Sequence, residues 1–360
     1  MNRVHNFCAG PCTLPLEVLE EVRGEFLDFN GIGMSIIEDS HRAPSYLKIH
    51  QEALRTFRSL ASVPDDFAVL FIQGGATLQF VQSAMNLLSE NQSAAYINTG
   101  VWAKKAMQDA SKVANVYEAW TGAENNFTST PKTNEIDIAR NTSWLHMTSN
   151  ETIGGVRFAD FPDVEIPLVA DMSSDFLSRR IDWNKFDLVY GGVQKNLAPA
   201  GLSVVVARRE KLGKHGRNLP SYLDYAIHDE ADSLAKTPPM FSIYVMGKVL
   251  KWMQGHGGLE EFEFRSSKRA ELIYDAIENS DGFYYSPVEK RSRSLMNIVF
   301  RLPSEELEER FVKEAENLGL VNLKGHRSVG GVRVSVYNAM DIESVEILVA
   351  FMNDFLLSKG

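Results

Sequence analysis

Apolar and polar positions follow two rhythms along this chain of 360 residues. Short apolar runs at 68–73, 94–98, 113–117, 143–147, 168–171, 187–190 and 203–207 have the length and composition of strands. Between them the spacing turns helical. After Gly74-Gly75, the residues Leu78, Val81, Met85 and Leu88 fall three, four and three apart, which predicts one apolar face of a helix. A second helix is expected over 102–110. An earlier one is expected over 16–29, stopped by Asn30-Gly31. The first fifteen residues, ending in Ala9-Gly10-Pro11-Cys12-Thr13-Leu14-Pro15, read as an extended arm. Strand and helix in alternation predict an α/β fold, with a mostly parallel seven-stranded sheet flanked by helices.

A helical stretch over 242–254 runs into Gly255-His256-Gly257-Gly258, which marks a boundary. Beyond it, runs at 297–302 and 332–337 read as strands. Val345, Leu348, Met352 and Phe355 line a final amphipathic helix. The expected division is an arm over 1–15, a large domain over 16–255 and a smaller α+β domain over 256–360. No internal repeat or low-complexity tract interrupts the pattern.

Composition narrows the function. A hydrophobic fraction of 44% and a charged fraction of 23% are ordinary for a globular protein. With 37 basic against 47 acidic residues the net charge is -10, and no long basic run appears. Nucleic acid and anionic membranes are therefore not expected partners. The opening Met1-Asn2-Arg3-Val4-His5-Asn6 lacks the apolar region of a signal peptide. No stretch approaches the roughly 18 apolar residues of a membrane span. Two cysteines, Cys8 and Cys12, suit a reducing compartment, and their Cys-x-x-x-Cys spacing alone predicts no metal site. A cytoplasmic location is expected.

The candidate chemistry centres on Lys195. It follows the apolar run 187–190 and Gly191-Gly192, and a second apolar run closes behind it. An ammonium just past a buried strand is poorly solvated, so its titration should fall toward neutrality, as a Schiff-base nucleophile requires. A lysine on an ordinary surface loop fits the segment as well. Asp171 stands at the end of another strand, 24 residues earlier. It either caps the next turn or pairs with a protonated pyridine nitrogen. Gln73-Gly74-Gly75-Ala76-Thr77 joins a strand to a helix, where free backbone N–H groups form an anion site or simply a βα turn. Trp102 either stacks on a flat ring or packs in the core. Gly31-Ile32-Gly33 lacks the third glycine of a dinucleotide fingerprint and follows a helix, so it is set aside. His41-Arg42 and the segment from Lys324 through His326 and Arg327 to Arg333 concentrate positive charge in an acidic chain. They are either solvated loops or sites for an anionic substrate, with Arg333 rigidly held at a strand start.

In sum these segments resemble the phosphoserine aminotransferases, pyridoxal-phosphate enzymes of the aspartate aminotransferase (type I) fold. The blocks that carry the resemblance span nearly the whole chain. They are Asn6-Phe7 with Ala9-Gly10-Pro11, Ser40-His41-Arg42, Gln73-Gly74-Gly75-Ala76, and Asn98-Thr99-Gly100-Val101-Trp102. They continue with Asn150-Glu151-Thr152-Ile153-Gly154-Gly155, Ala170-Asp171-Met172-Ser173-Ser174, and Gly191-Gly192-Val193-Gln194-Lys195-Asn196. Thr237-Pro238-Pro239 and Gly325 to Arg333 complete the set.

The resemblance implies roles. Lys195 would carry pyridoxal 5'-phosphate, Asp171 would face its ring nitrogen, Trp102 would stack on the ring and Thr152 would bond near the ring oxygen. Ala76, Thr77 and Gln194 would hold the phosphate, joined by the Thr237 segment of a second subunit, which makes a homodimer with shared active sites. Arg333 and Arg42 would bind substrate carboxylates, while His41, His326 and Arg327 would favour a phosphorylated or doubly anionic side chain. The implied reaction is amino transfer between L-glutamate and 3-phosphohydroxypyruvate in serine biosynthesis, with the phosphorylated four-carbon analogue of vitamin B6 synthesis as a further substrate. Two positions depart from the family pattern. Lys236 stands where asparagine is usual, and Thr77 where arginine or serine is common. Lys236 is therefore expected to add a point cation at the cofactor phosphate. The competing readings are a related aminotransferase of alanine, serine or glyoxylate, and a cofactor-binding relative without turnover.

Overall fold

The structure, a computed structural model, describes residues 3–359. Its centre is a seven-stranded sheet. Across the sheet the order is Phe67–Gln73, Leu202–Arg208, Phe186–Gly192, Leu168–Asp171, Thr142–Thr148, Ser93–Asn98 and Asn115–Thr121. All neighbours pair in parallel except Leu202–Arg208, which runs antiparallel to the strand on either side. The six strands of common direction therefore end along one edge, at Gln73, Asn98, Thr121, Thr148, Asp171 and Gly192. In an open α/β sheet that edge is where ligands bind.

The apolar runs are continuous because the sheet is buried on both faces. Val69, Phe71, Ile97, Leu145, Met147, Val189 and Val204 face one core, with the helices Pro44–Leu60 and Met240–Gly255. Leu70, Ile72, Tyr96, Trp144, Val169, Tyr190 and Val205 face the other, with the helices Ala76–Leu87 and Val101–Ala110. A third core holds the smaller C-terminal α+β unit. Its antiparallel pair Asn297–Phe300 and Val332–Ser335 packs with the helices Gly258–Glu278, Glu305–Asn317 and Ile342–Lys359. Among the described residues no helix is long and apolar enough to cross a membrane.

Three local expectations change. The first helix is Leu16–Glu25 and does not reach 29; the chain bends there and makes a single 3-10 turn, Phe29–Gly31. The strand expected over 113–117 is Asn115–Thr121. The helix Ala76–Leu87 buries the opposite side to the one its apolar spacing indicates. Gln79, Phe80, Gln82, Ser83, Ala84 and Asn86 face inward, while Leu78, Val81 and Met85 are only partly covered. Hydrogen bonds explain the inversion. Gln79 donates to Ser203 Oγ at 3.2 Å and accepts from the Tyr225 hydroxyl. Asn86 donates to Leu223 O and accepts from Tyr225 N, both at 2.8 Å. Satisfied amides lose little by burial.

The arm is tied down at both ends. His5–Asn6 pairs in parallel with Leu320–Val321, and Phe7 is fully buried in the C-terminal core, a contact worth about 1.5–3 kcal/mol. Cys12 N then donates to Gln194 O at 3.0 Å. A methyl at Gly10 would already touch Lys195 Cγ at 3.5 Å. A polar seam joins the C-terminal unit to the sheet edge. Asn150 donates to Asn297 Oδ1 at 2.8 Å, Asn297 to Tyr337 Oη at 3.1 Å, and Tyr337 to Ala9 O at 2.8 Å.

Candidate active site

Lys195 sits three residues beyond the end of Phe186–Gly192, and its side chain turns back over the sheet edge into the protein. Nζ donates to Thr152 Oγ1 and lies 5.9 Å from the centre of the Trp102 ring. Burial pulls its titration down from 10.5 to about 8; the Asp171 carboxylate opposes this shift and the Arg333 cation adds to it. The loop reading of Lys195 therefore fails, because the amine is buried and aimed at the sheet edge.

Asp171 closes its strand and is buried. Its Oδ1 accepts from Ser173 N at 2.9 Å and from Ser173 Oγ at 2.6 Å. Burial raises its titration, and the two Ser173 bonds and Lys195 hold it down. A carboxylate in this position gains most from a buried cation, such as a protonated ring nitrogen.

Gly75, Ala76, Thr77, Trp102, Thr152, Asp171, Gln194 and Lys195 line one cavity, with Phe80, Thr148, Asn150, Ser173 and Ser174. Thus seven of the nine residues expected at the cofactor come together, and Lys236 and Thr237 do not line the cavity. Thr148 Oγ1, Gln194 Oε1 and Trp102 Nε1 are buried there without a hydrogen-bond partner. The helix Ala76–Leu87 begins at Gly75 with no side-chain cap, so its first amides are free for an anion. A base, a carboxylate, an indole face, orphaned polar atoms and an uncapped helix start match the parts of pyridoxal 5'-phosphate. A larger groove of about 680 Å³ lies between the helices Leu16–Glu25, Pro44–Leu60 and Met240–Gly255. Lys248 is already paired there with Glu21 and Glu25, and Lys251 with Glu52, so size does not select it.

The expected anion-binding residues divide into two groups. Arg333 is half-buried, its Nε has no partner, and among the described residues it makes no ion pair. It acts on Lys195 and, with Arg327, on His326, whose titration is lowered by burial first and then by those two cations. Arg333 thus links this group electrostatically to Lys195, though none of the three lines the cavity. The other four do not line it either. His41 Nδ1 lies 3.5 Å from Thr237 Oγ1, and Arg42 is exposed beside it. Lys236 Nζ lies 3.1 Å from the centre of the Tyr222 ring, with no hydrogen-bond partner, and burial lowers its titration to about 8.

Sequence reasoning passed over several residues that the fold brings here. Ser173 fixes Asp171, Phe80 and Thr148 wall the cavity, and Glu151 lies beneath Trp102. For Glu151 a signal was present, since a carboxylate between Asn150 and Thr152 stands out at the end of an apolar strand. Ser173 and Thr148 carry no spacing that separates them from ordinary strand-end residues.

The profile of the class V aminotransferases matches residues 4–348. The phosphoserine aminotransferase of Niallia circulans is 49% identical over 359 residues, covering 99% of both chains. That of Bacillus subtilis is 44% identical over 355 residues, covering 99% of both. The solved phosphoserine aminotransferase of Bacillus circulans subsp. alkalophilus superposes with a TM-score of 0.97 at 49% identity, covering 99% of each chain. A pyridoxal-phosphate-bound phosphoserine aminotransferase from Trichomonas vaginalis superposes at 0.93 with 34% identity, covering 98% of this chain and all of that one. With the cavity around Lys195 and this likeness over the full length, the chain belongs to the class V aminotransferases, and within them to the phosphoserine aminotransferase family.

Proposed function

We infer that the protein catalyses reversible amino transfer between L-glutamate and 3-phosphohydroxypyruvate, giving 2-oxoglutarate and O-phospho-L-serine, with pyridoxal 5'-phosphate as cofactor. The observation that carries this reading is the buried amine of Lys195, enclosed with Asp171 and Trp102 and facing the unpaired Arg333. The bound cofactor would supply an electron sink for the pair left on the substrate α-carbon when its proton departs. Lys195 Nζ, neutral at and above its lowered titration point, takes that proton and returns it, acting as base and then as acid. Thr152 orients the amine through its hydroxyl. Asp171, fixed by Ser173, would offer its free oxygen to the ring nitrogen, and Trp102 would shield the ring from water. Ala76, Thr77 and Gln194 would hold the phosphate at the open helix start. Arg333 would take the substrate carboxylate, and His326 with Arg327 the second anion.

The substrate class is tested by turnover. Activity with glutamate should be far higher on 3-phosphohydroxypyruvate than on pyruvate or glyoxylate. Equal rates on the unphosphorylated acids would support a general aminotransferase, and no turnover on any would support a cofactor-binding relative. The phosphorylated four-carbon analogue of vitamin B6 synthesis belongs to the same assay.

A homodimer with shared sites is part of the reading. Leu27 is 81% exposed, and Leu16, Leu19, Phe26, Ile32, Met34 and Ile37 are also exposed over one short stretch of chain, an apolar face that a second copy would cover. His41, Arg42, Lys236 and Thr237 stand together away from their own cavity, as residues serving a partner's site would. Lys236→Asn should weaken pyridoxal 5'-phosphate binding about tenfold, the loss of one charge-assisted contact. An unchanged dissociation constant would remove Lys236 from the phosphate site. A cytoplasmic location and the division into 1–15, 16–255 and 256–360 complete the proposal.

A further inference from the structure

Glu151 has no part in the reaction as derived above, yet its carboxylate is buried next to Thr152, beneath the cavity. Its two oxygens are spent on one helix. Oε2 accepts from Trp102 N at 3.2 Å and Oε1 from Ala103 N at 2.8 Å. These are first-turn amides of the helix Val101–Ala110, whose N-cap, Gly100, has no side chain to offer them. The helix dipole favours an acidic group at that end.

Gly100 is shaped around the same carboxylate. A Cβ at position 100 would stand 2.9 Å from Glu151 Cδ and 3.2 Å from both of its oxygens. No side chain fits between strand end and helix start without displacing Glu151. The backbone of Trp102 is thus held from below by Glu151, while its indole projects into the cavity with Nε1 unpartnered. Burial raises the carboxyl to about 7, and the two amides hold it down; Asp171 and Lys195 act on it with opposite signs.

We propose that Glu151 is a positioning residue, which seats the Trp102 ring by holding the Trp102 and Ala103 amides in the first turn of its helix. The proposal rests on the reading of the cavity as a pyridoxal 5'-phosphate site with Trp102 on the ring. It acts through a backbone clamp and leaves the proton transfers to Lys195.

A double-mutant cycle separates this role from a merely structural one. The apoenzymes of wild type, Glu151→Gln, Trp102→Ala and the double variant are titrated with pyridoxal 5'-phosphate by visible absorption. Circular dichroism melting establishes that each is folded. Glutamine keeps the shape but turns an N–H donor toward one of the amides. The dissociation constant should rise about tenfold for Glu151→Gln in the wild-type background and less than about twofold in the Trp102→Ala background. Gly100→Ala should reproduce the rise with the charge intact, and it serves if Glu151→Gln does not fold. Equal rises in both backgrounds would overturn the proposal, as would no rise in either. A wild-type apoenzyme that takes up no cofactor would overturn the cofactor reading itself, an outcome read before any variant is compared.

Discussion

Lys195→Ala should lower kcat by about four orders of magnitude, the scale of losing the base that moves the proton. It should also remove the visible absorption that covalent attachment of the cofactor gives. No other amine replaces it. Among the cavity-lining residues Lys195 is the one lysine, and Lys236 lies over Tyr222, outside them. Appreciable turnover without an added amine would contradict the assignment. The wild type carries a pH signature as well. Only the neutral amine attacks, and burial sets its titration at about 8 where 10.5 is ordinary. The rate at which the apoenzyme takes up pyridoxal 5'-phosphate should climb through pH 8 and level off above it. A rate still rising beyond about pH 9.5, roughly one unit below the ordinary lysine value, would mean that the amine is solvated.

Arg333→Ala should raise the KM for glutamate about 100-fold, the cost of truncating a cation that meets a carboxylate in a half-buried site. Pyridoxal 5'-phosphate should still bind within about threefold of wild type, because Arg333 does not line the cavity that holds Asp171 and Gln194. The side chain is ready for an anion. Its Nε has no partner, and among the described residues it makes no ion pair. Equal losses for glutamate and cofactor would move Arg333 into the cofactor site. Arg333→Lys should recover only part of the loss, since a point charge does not replace a planar fork.

How much of this was legible in the chain varied with the kind of signal. The seven strands were readable because burial on both faces made each a continuous apolar run, bounded within a residue or two in six cases. Asn115–Thr121 was misplaced because its partly exposed edge position mixes Glu118 into the run. The helix after Gly75 was readable, but not its inner side. Apolar spacing marks the face that prefers to leave water, and here Gln79, Gln82 and Asn86 are buried by the specific partners Ser203, Leu223 and Tyr225, more than 120 residues away in sequence. The site followed the same rule. Lys195 and Asp171 stood at strand ends, where the fold concentrates chemistry. Glu151 and Ser173 act on the backbone or carboxylate of another functional residue, and such indirect work leaves no periodic mark. His41 and Arg42 stand out in the sequence as a cationic pair, Lys236 and Thr237 only through resemblance, and one chain alone does not bring these four to its own cavity.

The pairing of His5–Asn6 with Leu320–Val321 sets an order on the making of the protein. Asn322 donates to Asn6 across 316 residues of sequence at 2.7 Å. The arm is synthesised well before the strand that receives it. Until that strand is made, the segment that backs Lys195 and Gln194 lacks one of its two ties, and closing so long a loop is slow. The wall beside Lys195 therefore depends on the C-terminal unit as well as on the sheet edge.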